Sequence, residues 1–355
     1  MPDTMLAALD NAKGKYEVRQ APLPARFPGS ALIKVRQTGI CGSDLHMTRE
    51  RTAAQSVASG HEVAGEVVEL PKGAPAMSGQ GMPLRIGDRV AIETIGHGRS
   101  CGGCYFCRQG QFRHCQRRAD DSGGGFAQYM TRTPAGCYVL PEKLDWTDGA
   151  LVEPLAVSVH ALRYSASMKP GDTVAVVGSA TIGLAAICAA KALGAKEVLA
   201  SARYEQQAIM AREMGADVVT TSEKGALEEA VKSATGGLGA DVVIETIGGH
   251  SIDTLDQSVA CCRSQGKLVI VGGFREPLMF NFLGPLLTEL TFVFSSCYGV
   301  VDGRHDYEVA IDLMASGKAQ FRKIVTHKFP LAQIQKGFDT AFDKRTGSVK
   351  VHITQ

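Results

Sequence analysis

The chain has 355 residues and a formal net charge of +2, from 38 basic and 36 acidic side chains. It is 45% hydrophobic and 21% charged, which is the balance of a globular protein and excludes a disordered or collagen-like chain. Near-neutral charge gives no general pull toward nucleic acid or an anionic membrane, so neither is expected as a partner.

The length exceeds what one core usually fills, roughly 250–300 residues, and predicts about two domains. Residues 1–15 carry Asp3 and Asp10 and no apolar run, so no signal peptide is expected and the chain reads as cytoplasmic. The longest uncharged run, 173–190, contains Gly178, Ser179, Thr181 and Gly183. It falls short of the ~20 apolar residues of a membrane span.

In chain order, the first 150 residues read as short strands between turns, for example 31–37, 62–70 and 88–93. From 173 onward strand and helix alternate. Strands are expected at 173–177, 197–200, 217–220, 241–245 and 267–271, and helices from Gly178 to Leu193 and at 204–214, 226–234 and 251–261. That alternation predicts an α/β fold with a doubly wound parallel sheet. The last stretch is mixed, with a helix near 306–316 and a closing strand near 348–353.

The chain has ten cysteines, four of them at Cys101, Cys104, Cys107 and Cys115. In a reducing compartment such a cluster points to a metal rather than to disulfides. Four thiolates close a tetrahedral zinc site with no place for water, hence a structural one. An iron–sulfur reading would need the three-residue final spacing and proline of the ferredoxin run, which are missing.

Cys41-Gly-Ser43-Asp-Leu-His46 and Gly60-His61-Glu62 bring together the ligand types of a catalytic zinc, with Glu153 as a further carboxylate. Glu153 reads equally well as a charge at a helix N-terminus. Gly178-Ser179-Ala180-Thr181-Ile182-Gly183, between strand and helix, has the place of a dinucleotide fingerprint with Ala180 replacing the middle glycine. An NAD site usually has an acid about 20 residues on. Here the strand end is Ser201-Ala202-Arg203-Tyr204. Arg203 suits a 2′-phosphate, Ser201 could donate to it, and Tyr204 could lie beside the adenine.

Taken together, these motifs resemble the zinc-containing medium-chain alcohol dehydrogenases, within them the polyol (sorbitol/idonate) branch. The resemblance implies a GroES-like catalytic domain at 1–153, a Rossmann domain at 154–296, and a return to the catalytic domain at 297–355. It implies two zincs per chain, NAD(P)(H), a small alcohol or ketone substrate, and a homo-oligomer, dimer or tetramer. Cys41 and His61 match catalytic ligands. Glu62 and Glu153 both match positions that ligate the metal or its water, and both are carried. Ser43 matches the residue that takes the alcohol proton, and His46 the end of the relay. Thr246, Gly248, Val271, Gly272, Ser295, Ser296 and Cys297 match coenzyme-contacting positions, and Lys350 one near the pyrophosphate.

Two departures bear on substrate. The stretch from Cys41 to His61 is short and carries Arg49, Glu50 and Arg51 where the polyol branch is aromatic and apolar. Cys297-Tyr298 stands where that branch has Arg-Tyr. The reading is an NADP(H)-linked oxidoreductase of a secondary alcohol or ketone, with sorbitol not its best substrate. The alternative is an NAD-linked enzyme of the threonine or butanediol dehydrogenase type.

Overall fold

The computed structural model describes residues 3–12, 14–73, 75–119 and 123–355. The chain forms two compact units. The first comprises Met1–Glu153, Tyr298–Ala315 and Val325–Gln355, and the second Pro154–Cys297 and Ser316–Ile324. The return of the chain after residue 297 is thus divided, with the nine residues from Ser316 belonging to the second unit.

The second unit is built on six parallel strands in the spatial order Val218–Thr221, Glu197–Ala202, Thr173–Val177, Ala240–Glu245, Cys262–Ile270 and Thr291–Phe294. Val174, Ala175, Val176 and Val177 are all fully buried, as expected of a strand covered on both faces by helices. Burying each Val contributes roughly 1.5–3 kcal/mol. The strand order reverses between Thr173–Val177 and Ala240–Glu245. Gly178 and Thr246 follow those two strands, at the point where doubly wound sheets bind their ligands.

In the first unit, a sheet runs Val325–Pro330, Lys350–Thr354, Ala31–Gly39, Glu62–Glu69, Arg89–Glu93 and Cys137–Val139, with Tyr129–Arg132 also pairing to Ala31–Gly39. Its interior packs Ile33, Val35, Val63, Val67, Val90 and Ile92. Helices that the pattern did not predict include Gly42–Glu50 and Ile334–Phe342, and the helix read as opening near Glu153 starts instead at Trp146 and runs to His160. Among the described residues no helix is long and apolar enough to cross a membrane.

Candidate active site

Cys41 caps the N-terminus of the helix Gly42–Glu50, and its backbone N–H donates to Asp44 Oδ2 at 2.9 Å. That local ring fixes the turn and aims the Asp44 carboxylate. The other oxygen, Oδ1, lies 3.6 Å from His61 Nδ1. With a carboxylate on Nδ1, Nε2 is the nitrogen left for a metal. Cys41, His61 and Glu62 place one ligand atom each within 4.8 Å of one another. A thiolate, an imidazole and a carboxylate at that spacing suit zinc with room for a further ligand.

Burial would depress the His61 pKa, but Asp44 and Cys41 outweigh it and hold it well above the ordinary value. Burial pushes Asp44 up, against the pull of His61. Glu153 is pushed up to about 7, by burial first, with His61 opposing and Glu62 reinforcing. A positive ion placed among these groups reverses that logic, since it favours the charged carboxylates and the neutral imidazole. Glu153 lies in the middle of the helix Trp146–His160. The reading of it as a charge at a helix N-terminus is therefore corrected. Ser43 and His46 sit one turn apart on Gly42–Glu50, Ser43 half-buried and His46 exposed.

Lys350, expected near the pyrophosphate, is instead fully buried, with Nζ on Glu62 Oε1 at 2.6 Å and on the Ile40 carbonyl at 3.0 Å. Gly39 makes room for this pair. A Cβ there would stand 1.9 Å from Glu62 Oε2 and 2.9 Å from Lys350 Cε. Arg51 reaches the buried Asp10 at 3.2 Å, and the Arg49 guanidinium lies 3.3 Å from the Phe342 ring centre. Both anchor the loop to the fold.

Cys101, Cys104, Cys107 and Cys115 gather their sulfurs within 4.8 Å. Cys104 Sγ is 3.4 Å from Cys107 Sγ, and the Cys101 N–H donates to Cys115 Sγ at 3.3 Å. Backbone N–H groups from Gln116 and Cys107 pull the Cys104 thiol down to about 6, while burial pushes Cys107 up to about 12; a bound cation would favour the thiolate at both.

A third cluster, Glu93, His97 and His305, is equally close and had no sequence signal. Glu93 Oε1 accepts the Gly96 N–H at 2.7 Å, and His97 stacks on Phe112 at 3.8 Å with Nδ1 3.2 Å from Tyr138 Oη. His305 Nδ1 accepts the Tyr307 N–H at 3.2 Å. Each member of this cluster is thus engaged with a neighbouring group of the first unit.

In the second unit, Gly178 has φ +96° and begins the turn. A Cβ on Gly183 would stand 1.9 Å from the Gly178 carbonyl oxygen, so helix and strand meet only because residue 183 is glycine. Ala180 is the N-cap of the helix Thr181–Ala192, which carries Thr181 and Ile182 in its first turn. This cradle suits a pyrophosphate. Thr246 Oγ1 donates to the Val177 carbonyl at 2.8 Å, which ties the two turns together. The Glu245 carboxylate accepts the Gly248 N–H at 2.8 Å, and the Val271 and Gly272 N–H groups bond the Glu245 carbonyl. Ser295 is buried, and Ser296 Oγ lies 3.8 Å from Cys297 Sγ, at a residue with φ +60°.

At the strand end, Ala202 is buried while Arg203 and Tyr204 are exposed, the guanidinium 5.6 Å from the ring centre. Ser201 corrects expectation. Its hydroxyl is buried, accepts the Gly178 N–H at 3.1 Å, and its carbonyl accepts from Ser179 Oγ at 2.8 Å. It braces the glycine turn and is not turned toward a 2′-phosphate.

Residues 27–142 match the alcohol dehydrogenase GroES-like domain family and residues 181–316 the zinc-binding dehydrogenase family. Sorbitol dehydrogenase of Bacillus subtilis is 30% identical over 99% of this chain and 98% of its own length. D-arabitol-phosphate dehydrogenase of Enterococcus avium is 29% identical over 97% and 96%. A putative zinc-binding dehydrogenase from Sinorhizobium meliloti, solved with NADP, superimposes with a TM-score of 0.84, is 28% identical, and is covered in full by this chain, as this chain is by it. The chain belongs to the zinc-containing medium-chain alcohol dehydrogenases and is polyol-dehydrogenase-like.

Proposed function

We propose that the protein transfers a hydride between NADP(H) and a secondary alcohol or ketone, with a polyol or sugar-derived compound as substrate. The observation that carries this is the Cys41–His61–Glu62 donor set, with Asp44 held by the Cys41 backbone and facing His61 Nδ1. Zinc bound there supplies Lewis acidity that makes an alcohol easier to deprotonate, and the nicotinamide supplies the hydride acceptor. Ser43 takes the alcohol proton and His46, exposed one turn on, passes it to solvent at physiological pH. Asp44 orients His61, and Lys350 holds Glu62. The cysteine lobe carries a second, structural zinc.

Relatives named for sorbitol and for arabitol phosphate support a polyol substrate. Cys297 at the position of the polyol arginine argues against sorbitol itself. For the coenzyme, Ala202 removes the carboxylate that would repel a 2′-phosphate, and Arg203 supplies a cation beside it. Steady-state turnover of the zinc-loaded protein with NADPH and NADH over a panel of ketones, ketoses and polyols tests this reading. No turnover of any of them would end it. A kcat/KM for sorbitol above that of the other substrates would end the substrate reading alone.

A further inference from the structure

Glu245 ends the strand Ala240–Glu245, and its side chain is fully buried. Its Oε1 accepts the Ile247 N–H at 2.9 Å and the Gly248 N–H at 2.8 Å. Its backbone carbonyl accepts the Val271 N–H at 2.9 Å and the Gly272 N–H at 3.1 Å. A Cβ on Gly272 would stand 2.2 Å from Glu245 Oε2, so the neighbouring turn closes on the carboxylate only because residue 272 is glycine. One residue thus holds two turns, 246–249 through its side chain and 271–273 through its main chain. Burial raises its pKa above the usual carboxylate value, with the Gly248 and Ile247 N–H groups pulling the other way. A carboxylate is costly to bury, and backbone N–H groups left without an acceptor are costly as well, so acceptor and donors depend on each other.

The two turns are also joined directly, the Gly249 N–H donating to the Gly273 carbonyl at 3.0 Å. On its other side, 246–249 leans on the glycine turn of the cradle: a Cβ on Gly178 would stand 2.5 Å from Ile247 Cγ1. These turns lie across the reversal of strand order from Glu197–Ala202, the strand that leads to Arg203 and Tyr204. A dinucleotide on a doubly wound sheet spans that reversal, with its adenosine ribose on the side of the second strand. The turns that Glu245 holds therefore face the other half, the nicotinamide.

We propose that Glu245 is a positioning residue for the coenzyme: buried beneath the two turns, it holds them in the arrangement that receives the nicotinamide half. It acts through the backbone of Ile247, Gly248 and Gly272. The inference rests on the nicotinamide coenzyme of the reading above and assigns a residue that serves it. A carboxylate suits the task because its Oε1 alone accepts two adjacent N–H groups. An aspartate, shorter by one methylene, withdraws from both.

The test is calorimetric titration of the full chain with NADPH and with adenosine 2′,5′-bisphosphate, which carries only the adenosine half, and in parallel with NADH and ADP. The pair whose dinucleotide wild type binds more tightly is compared. In Glu245→Ala the dinucleotide Kd should rise at least about tenfold, the worth of one hydrogen bond to a charged acceptor. The Kd of the half-molecule should change by less than about twofold on the same scale. Glu245→Gln keeps an acceptor for Ile247 and Gly248 and should recover most of the loss. Unfolded protein lowers the measured stoichiometry and leaves Kd alone. If Glu245→Ala does not fold, Glu245→Asp decides on the same ratio. Equal losses for both ligands, or no loss for either, overturn the proposal and leave the dehydrogenase reading standing. Wild-type protein that binds neither dinucleotide ends the coenzyme reading, and this proposal with it.

Discussion

Lys350 Nζ is bonded to Glu62 Oε1 at 2.6 Å, and both side chains are fully buried. The contact joins the closing strand to the strand that carries a candidate zinc ligand. Breaking a buried pair strands the other charge at a cost of about 3–5 kcal/mol, while replacing both partners is far milder. Lys350→Met should therefore lower unfolding stability by about that amount, and adding Glu62→Gln should restore at least half. Urea unfolding after chelator treatment, with only the cysteine-lobe zinc retained, measures both. A single variant within about 1 kcal/mol of wild type would show that the pair holds nothing.

The two zincs should differ in lability. Elemental analysis is expected to find about two equivalents per chain, as one closed and one open site require. A mild chelator should strip the Cys41/His61 ion first, abolishing turnover while the far-UV signal persists. A single equivalent released only on unfolding contradicts this.

Proton linkage at the Glu93–His97 network gives a third expectation. Burial lifts Glu93 from 4.5 to about 7, so its stabilising contribution is complete below 4.5 and lost as pH rises through about 7. Burial drops His97 from 6.5 to about 4, so its contribution is complete above 6.5 and lost as pH falls through about 4. The two slopes oppose across the window they share. Glu93→Gln should leave stability rising with pH and His97→Phe should leave it falling, each by up to about 3 kcal/mol, with less from His97 because it is only partly covered. Denaturant midpoints between pH 4.5 and 7.5 read these slopes, and parallel curves for all three proteins would refute the assignment.

Coenzyme choice tests Arg203. Its alanine variant should raise KM for NADPH about tenfold, the low end for a solvent-exposed charged hydrogen bond, with KM for NADH nearly unchanged. Equal effects on both coenzymes would make Arg203 an ordinary surface residue.

What the sequence disclosed depended on how local the signal was. The four cysteines and the Gly178–Gly183 turn work through neighbours in the chain, and spacing alone located them. The helix Trp146–His160 was placed too late along the chain, with Glu153 near its start, because it is buried nearly all round, its polar side chains included, and carries Pro154 inside, so it shows neither the amphipathic period nor an uninterrupted run. Ser201 was placed correctly along the chain but not in rotation, since a strand-end hydroxyl can face out or brace the turn behind it. Lys350 misled for a different reason. A fully buried lysine is rare, and only Gly39, far away in sequence, leaves space for it.

The cysteine lobe carries Arg113 between two of its thiolates, Cys107 and Cys115, and Arg118 just beyond the last. Metal ligation holds the shape of such a loop whatever the intervening side chains are. The lobe is then an exchangeable cassette: charges within it can be altered or grafted without touching Cys41, Ser43, His61 or the glycine turn. The surface charge of that short loop is thus free to diverge while its shape, and the motifs spread over the rest of the fold, stay as they are.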